Sequence, residues 1–276
     1  MDRFSMSLHQ RIICLTAETP EILYLLGEQD RIVGISGFTT RPSIARKEKP
    51  KISAFTSANI NKILALEPDL VLGFSNLQAD IATSLIKAGI EVHIFNQRSI
   101  EEILRMITTI GALVGAVEKA ALLVSELRQQ MDQVEETASY LPRKPVVYFE
   151  EWNDPIISGI KWVSELIEIA GGEDCFADLG QFRLAKERVI HDHEEIIRRQ
   201  PDIIIGSWCG KKFQPEQLLA RPGWDTIPAV QHGQIHEIKS ADLLQPGPAA
   251  ITQGLKQLQA IIQRWGVQQA HSKHWS

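Results

Sequence analysis

The stretch Val117–Ala138, VEKAALLVSELRQQMDQVEETA, decides how the rest of the chain is read. Its apolar positions Val117, Ala120, Val124, Leu127, Met131, Val134 and Ala138 recur at steps alternating between three and four. That spacing puts a single apolar stripe on an α-helix. The charged and amide residues between them, from Glu118 and Lys119 to Glu135 and Glu136, would face water. No Gly or Pro interrupts the pattern, and its roughly 22 residues would span about 33 Å, enough to cross a small domain. Strand and helix patterns of similar length alternate on both sides. One long surface helix on a larger sheet would fit the stripe, but the flanking alternations favour a rigid strut joining two similar lobes. The expected division is an N-terminal α/β lobe over 1–113, a linking helix over 114–140 and a C-terminal α/β lobe over 141–276.

A chain of 276 residues with 44% hydrophobic content can bury a full-sized core in one large domain or two small ones. The net charge of -5 argues against a nucleic-acid surface. The densest basic run, Arg41 to Lys51, is interrupted by Pro42, Glu48 and Pro50 and reads as a solvated loop. No apolar run approaches the ~20 residues that would span a bilayer, so no membrane insertion is expected. Met1–Gln10 has no apolar signal core before Arg11–Leu15, which reads as a first strand. The sequence as written therefore reads as cytoplasmic, and a periplasmic or cell-surface location would require a leader removed from it. Cys14, Cys175 and Cys209 suit neither a disulfide framework nor a Cys-x-x-Cys metal site and read as buried small residues or free thiols.

Arg11–Leu15 and Arg31–Ile35 are short β-branched runs, with a helix over Glu18–Leu26 that Gly27 stops. Gly37–Ala58 reads as a long connection. A helix over Asn59–Leu66, a buried strand over Pro68–Gly73, a helix over Ala79–Ala88, a strand over Glu91–Phe95 and a helix over Ser99–Val114 lead into the strut. Beyond it follow a strand (Pro145–Phe149), a helix (Val163–Ala170), a helix (Glu194–Arg199), a strand (Asp202–Ile205), a helix (Pro215–Ala220), a strand (Gln234–Ile238) and a last helix (Ala249–Arg264). Ile63–Gly73 lies over Ile196–Gly206 without a gap, sharing a Pro-Asp before the strand, and Glu21–Gly27 lies over Glu165–Gly171. A helix and its punctuation thus recur once per half. Alternation of this kind implies parallel sheets covered on both faces, and two such lobes on one strut would leave a ligand cleft between them.

These stretches, together with Ala170-Gly171-Gly172, Arg221–Trp224, Ile227–Val230 and Gln245–Pro248, resemble in their order the helical-backbone substrate-binding proteins of ABC importers. That class includes vitamin B12-, haem-, siderophore- and some metal-binding receptors, and the chain looks closest to the cobalamin-binding branch. The resemblance covers Arg11 through Gly266. It implies a non-catalytic protein without an intrinsic cofactor, which captures a corrinoid between lobes that move little. Haem, siderophore or metal-chelate binding, or a cytoplasmic sensor or carrier, are the alternatives. It also implies a glutamate on each lobe that docks to an ABC permease. Glu194 stands at that position on the C-terminal lobe, whereas the matching position on the N-terminal lobe is the neutral Asn61.

Ligand groups belong in the loops after strands. Glu150-Glu151-Trp152 follows a strand and offers two carboxylates and a flat indole face, with the alternative that all three are ordinary loop residues. Trp162 and Trp208 fall in expected loops of the same lobe, while Trp224 reads as packing. On the first lobe Phe38, Arg41, Phe55 and Phe74 follow strands or sit in the long connection and could close over a macrocycle or cap the local core. Asp242 resembles a position that contacts ligand in the cobalamin branch. His191-Asp192-His193 invites a metal reading, but a helix start with carboxylates in its first turn is the simpler account. No G-x-S-x-G, P-loop or G-x-G-x-x-G occurs, and Glu150 and Glu151 would diverge on an extended segment, so no enzyme is expected.

Overall fold

The computed structural model describes residues 8–272. The sequence reading of Met1–Gln10 falls, for its first seven residues, outside them. The chain divides into two compact units, one made of residues up to Gln97 with Glu101–Glu126, the other of Arg98–Ile100 with the residues from Leu127 onward. The helix Val117–Ala138 belongs to the first unit through Glu126 and to the second from Leu127.

The first unit is built on strands β1 (Ile12–Cys14), β2 (Ile32–Ser36), β3 (Lys51–Ser53), β4 (Leu70–Phe74) and β5 (Val92–Phe95), paired in parallel in the order β3-β2-β1-β4-β5. Ile12, Ile13 and Cys14 are fully buried, as a central strand covered on both faces requires. Its core joins Ile13, Leu15, Ile52, Ile63, Val71 and Leu85. The second unit uses β6 (Val146–Asn153), β7 (Ile156–Ser158), β8 (Glu173–Asp174), β9 (Ile203–Gly206) and β10 (Ile235–Glu237). Here the order is β10-β9-β6-β7, with β8 also on β6, and only β7 runs antiparallel.

The duplication proposed from sequence has a structural counterpart in each unit. In the first, the backbone N–H of Asp69 donates to the carbonyl of Arg11 (3.0 Å) while its carboxylate accepts from the N–H groups of Gln10 (2.6 Å) and Arg11 (3.0 Å). In the second, Asp202 N–H donates to the Val146 carbonyl (2.8 Å) and its carboxylate accepts from Val146 N–H (2.8 Å). Each Pro-Asp thus fastens its strand to the start of the central one. The residues before the two prolines, Glu67 and Gln200, both sit at φ 45. Gly27 and Gly171 close the other repeated helix at φ 74 and 93. There Glu28 N–H reaches the Leu23 carbonyl (2.8 Å) and Gly172 N–H the Ile167 carbonyl (2.9 Å), the six-to-one bond of a Schellman turn.

The long helix has the expected bounds, but its stripe is not uniformly buried. Ala120, Leu127, Met131 and Val134 are buried, whereas Val117 is 55% exposed. Its first turns are held in the first unit by Gly111, where a Cβ would stand 2.4 Å from the Ala120 Cβ, and by Lys119, which donates to the Leu26 carbonyl (2.8 Å). Two expectations are corrected. The connection Gly37–Ala58 contains a short helix, Ala45–Glu48, and the edge strand β3. The last helix begins with a π-helical turn, Ala250–Gly254, before the α-helix Leu255–Ser272. Among the described residues no helix is long and apolar enough to cross a membrane.

Candidate functional site

In a doubly wound sheet, ligands bind beyond the carboxyl ends of the strands, where the strand order reverses. In the first unit that place is beyond β1 and β4. Gln78, fully buried, organises it by accepting from Phe74 N–H (2.8 Å) and donating to the carbonyls of Leu15 (3.2 Å) and Phe55 (2.8 Å). One amide therefore ties together the ends of β1 and β4 and the segment after β3, and brings the rings of Phe55 and Phe74 to 6.4 Å. Shortly after β1, Glu18 opens the helix Glu18–Leu25 at 4% exposure and accepts from Gln97 Nε2 (3.3 Å). Burial pushes its carboxyl up to about 7, against the hydrogen bonds that favour the ionised form. Phe38 stands after β2 with 56% of its surface exposed, and the half-buried Arg41 precedes Pro42. Asn61 lines an open hollow of about 610 Å³ with Lys51, Ser53, Ser57 and Asn59.

In the second unit the strand β6 runs on through Asn153, so Glu150, Glu151 and Trp152 are strand residues rather than loop residues. Glu150 is fully buried. Its carboxylate accepts from Tyr148 Oη (2.8 Å), Trp208 Nε1 (3.0 Å) and both terminal nitrogens of Arg221 (2.6 and 2.9 Å). The Arg221 guanidinium lies 4.5 Å from the Trp224 ring centre. Burial, reinforced by the neighbouring Glu150, holds the Tyr148 hydroxyl protonated far above its ordinary range, which keeps it a donor. Glu151 points the other way, to Arg188 (2.6 and 3.2 Å), whose guanidinium also donates to the Ser158 carbonyl. Adjacent carboxylates on an extended strand diverge as expected, but each meets an arginine instead of being available to ligand amines.

Trp208 is buried, with its ring 5.0 Å from that of Phe213, and belongs to the core of this unit. Trp162 is corrected from a loop to the helix Lys161–Ile169, where it is buried and donates from Nε1 to the Leu243 carbonyl (3.0 Å). Asp242 lies in the short helix Ser240–Leu243 and accepts from Gln257 (3.1 Å). Trp152 is half-buried, and its Nε1 donates to the Asp154 carbonyl (2.8 Å). Of the aromatic residues singled out in this unit, it is the one that is not fully buried, and it packs against the core. Trp224 is packing, 1% exposed.

Glu194 starts the helix Glu194–Arg198 with its side chain 83% exposed and an ion-pair distance of 3.7 Å to Arg198. Asp192, just before that helix, accepts from Glu194 N–H (3.0 Å) and pairs with Arg198, so its carboxylate has a structural role beside His191 and His193. Asn59 does the same for Lys62 N–H (2.9 Å) ahead of Asn61 on the first unit. Among the described residues no group of three or more His, Cys, Asp or Glu side chains is placed to hold a metal ion.

Gln78, Arg188 and Arg221, which the sequence reading passed over, are polar side chains with partners far away along the chain. Only the Arg-Pro-Gly-Trp motif marked one of them, Arg221, as part of a recognisable pattern.

The fold and sequence have clear relatives. An uncharacterized ABC transporter substrate-binding lipoprotein of Bacillus subtilis is 28% identical over 92% of this chain and 80% of its own length. A vitamin B12-binding protein of Vibrio campbellii is 28% identical over 72% of this chain and 70% of its own. The crystal structure of a possible iron-binding, periplasmic solute-binding protein of Staphylococcus epidermidis superposes with a TM-score of 0.81 at 27% identity, over 93% of this chain and 99% of that one. Residues 12–241 match the model of the periplasmic binding protein family, and the chain belongs to that family, as a substrate-binding protein of the ABC-import type.

Proposed function

We propose that this chain captures a corrinoid without chemical conversion and delivers it to an ABC permease. The observation that carries the reading is the state of the polar groups in the last residues of β6 and after β4. Glu150, Glu151 and Gln78 are committed to internal partners, which leaves the half-buried Trp152 near the end of β6 to offer an aromatic face to a broad flat ligand. Pockets of this kind take their affinity from preformed apolar walls with few polar contacts. The vitamin B12-binding relative of Vibrio campbellii supports a corrinoid as the ligand. The possible iron-binding protein with the same fold supports the second reading, an iron-bearing ligand such as haem or a siderophore.

Glu194 is proposed as a docking contact to the permease, with Asn61 occupying the equivalent position on the other unit as a neutral one. The lipoprotein relative of Bacillus subtilis supports a working place outside the cytoplasm rather than within it. The test is competition: the protein is mixed with equimolar cyanocobalamin, haemin and an iron siderophore, then desalted and its absorption spectrum recorded. Retention of the corrinoid bands supports the reading. Retention of haem or siderophore alone refutes it.

A further inference from the structure

At the end of β6 the sequence suggests an acidic wall, since three carboxylates occur within Glu150–Asp154. The structure removes most of that negative charge. Arg221 neutralises Glu150, Arg188 neutralises Glu151, and Asp154 is exposed in the turn before β7. Lys211, exposed in the segment after β9, remains. Its Nζ lies 5.1 Å from the ring centre of Trp208 and 5.6 Å from that of Trp152, and donates to Asn153 Oδ1 (3.3 Å). No carboxylate oxygen among the described residues comes within 4 Å of it.

The shelf under this ammonium is rigid. Trp208 is fixed by Glu150 and by the edge-on ring of Phe213, Trp152 by the Asp154 carbonyl, and Asn153 by Gln217, which accepts from its amide (2.9 Å). Two indoles within about 6 Å hold a cation by their ring quadrupoles without neutralising it. An ammonium carries three N–H donors, and Asn153 takes one.

We propose that Lys211 is a ligand-binding residue that receives an anionic oxygen group, a carboxylate or a phosphate, carried on a ring system laid against Trp152. The proposal rests on the binding-protein reading above and adds the charge of the ligand it selects. The same oxyanion chemistry is offered by the phosphodiester of cobalamin and by the propionates of haem, whereas cobinamide lacks the phosphodiester.

The test titrates wild type, Lys211→Met and Lys211→Arg with cyanocobalamin, dicyanocobinamide and haemin. Lys211→Met keeps the stem that covers the indoles and removes the charge. The expected result is a loss of about ten-fold or more in affinity for whichever anionic ligand binds, roughly 1.4 kcal/mol. Lys211→Arg should restore it, and dicyanocobinamide should bind wild type and Lys211→Met alike. Equal affinity of wild type and Lys211→Met for the anionic ligand overturns the proposal while leaving the binding-protein reading intact. If wild type binds none of the three, the proposed ligand class fails, and the lysine site is decided with inorganic pyrophosphate. The indole N–H resonances of Trp152 and Trp208 should then shift in wild type and not in Lys211→Met, and a wild type whose resonances stay still overturns it.

Discussion

Replacing Arg221 by Met tests the polar centre of the second unit. Arg221 donates two hydrogen bonds to the fully buried Glu150, at 2.6 and 2.9 Å, and covers Trp224. Met preserves most of that apolar cover but leaves Glu150 an uncompensated buried anion, with Tyr148 and Trp208 as its remaining donors. Breaking a buried pair in this way costs about 3–5 kcal/mol, several times the value of an exposed pair. At roughly 2–4 °C per kcal/mol for a unit of this size, the melting temperature should fall by about 6–20 °C. The assay is differential scanning calorimetry of wild type, Arg221→Met, Glu150→Gln and the double variant. Since the penalty belongs to the stranded charge, Glu150→Gln in the Arg221→Met background should recover most of the loss. A double variant as unstable as Arg221→Met, or a single-variant cost under about 1 kcal/mol, the value of a surface pair, would refute the reasoning.

Glu18 has a folded-state pKa of about 7 against an ordinary value of 4.5, so the folded chain holds that proton more tightly than the unfolded one. Stability should therefore fall as pH rises between those two values, and Glu18→Gln should remove the dependence, gaining up to about 3 kcal/mol at pH 8 and nothing near pH 4 in urea denaturation. The matched left-handed residues Glu67 and Gln200, both at φ 45, should each accept Gly with a gain of about 0.5–1 kcal/mol, the strain relieved less the added chain entropy. Thermal unfolding that shows loss at either position would break the equivalence of the two turns.

Legibility in the sequence followed the range of the interactions. The long helix was readable because its stripe is local and periodic, and the Pro-Asp and Gly stops because they recur in each half. Val117 was misjudged because apolar spacing does not reveal whether a neighbour covers the first turn. The strand β7 was missed because Ile156–Ser158 is three residues long and pairs antiparallel next to a turn. In the candidate site, Glu150 and Glu151 were read as acceptors for a ligand, and the structure adds that each is paired with an arginine. Their arginines lie 71 and 37 residues away, and nothing in local pattern announces such pairs. Trp162 and Trp208 look like Trp152 in sequence, yet only burial separates packing from a wall. Lys211 acquires its setting solely from the meeting of two segments 58 residues apart.

The most direct test of the account is titration calorimetry with cyanocobalamin, comparing wild type with Trp152→Ala. The account predicts saturable one-to-one binding that weakens by about ten-fold or more, roughly 1.4 kcal/mol, when the half-buried indole is removed. Absence of binding heat in wild type would contradict the corrinoid assignment, and unchanged affinity in Trp152→Ala would contradict the placement of the ligand wall at the end of β6.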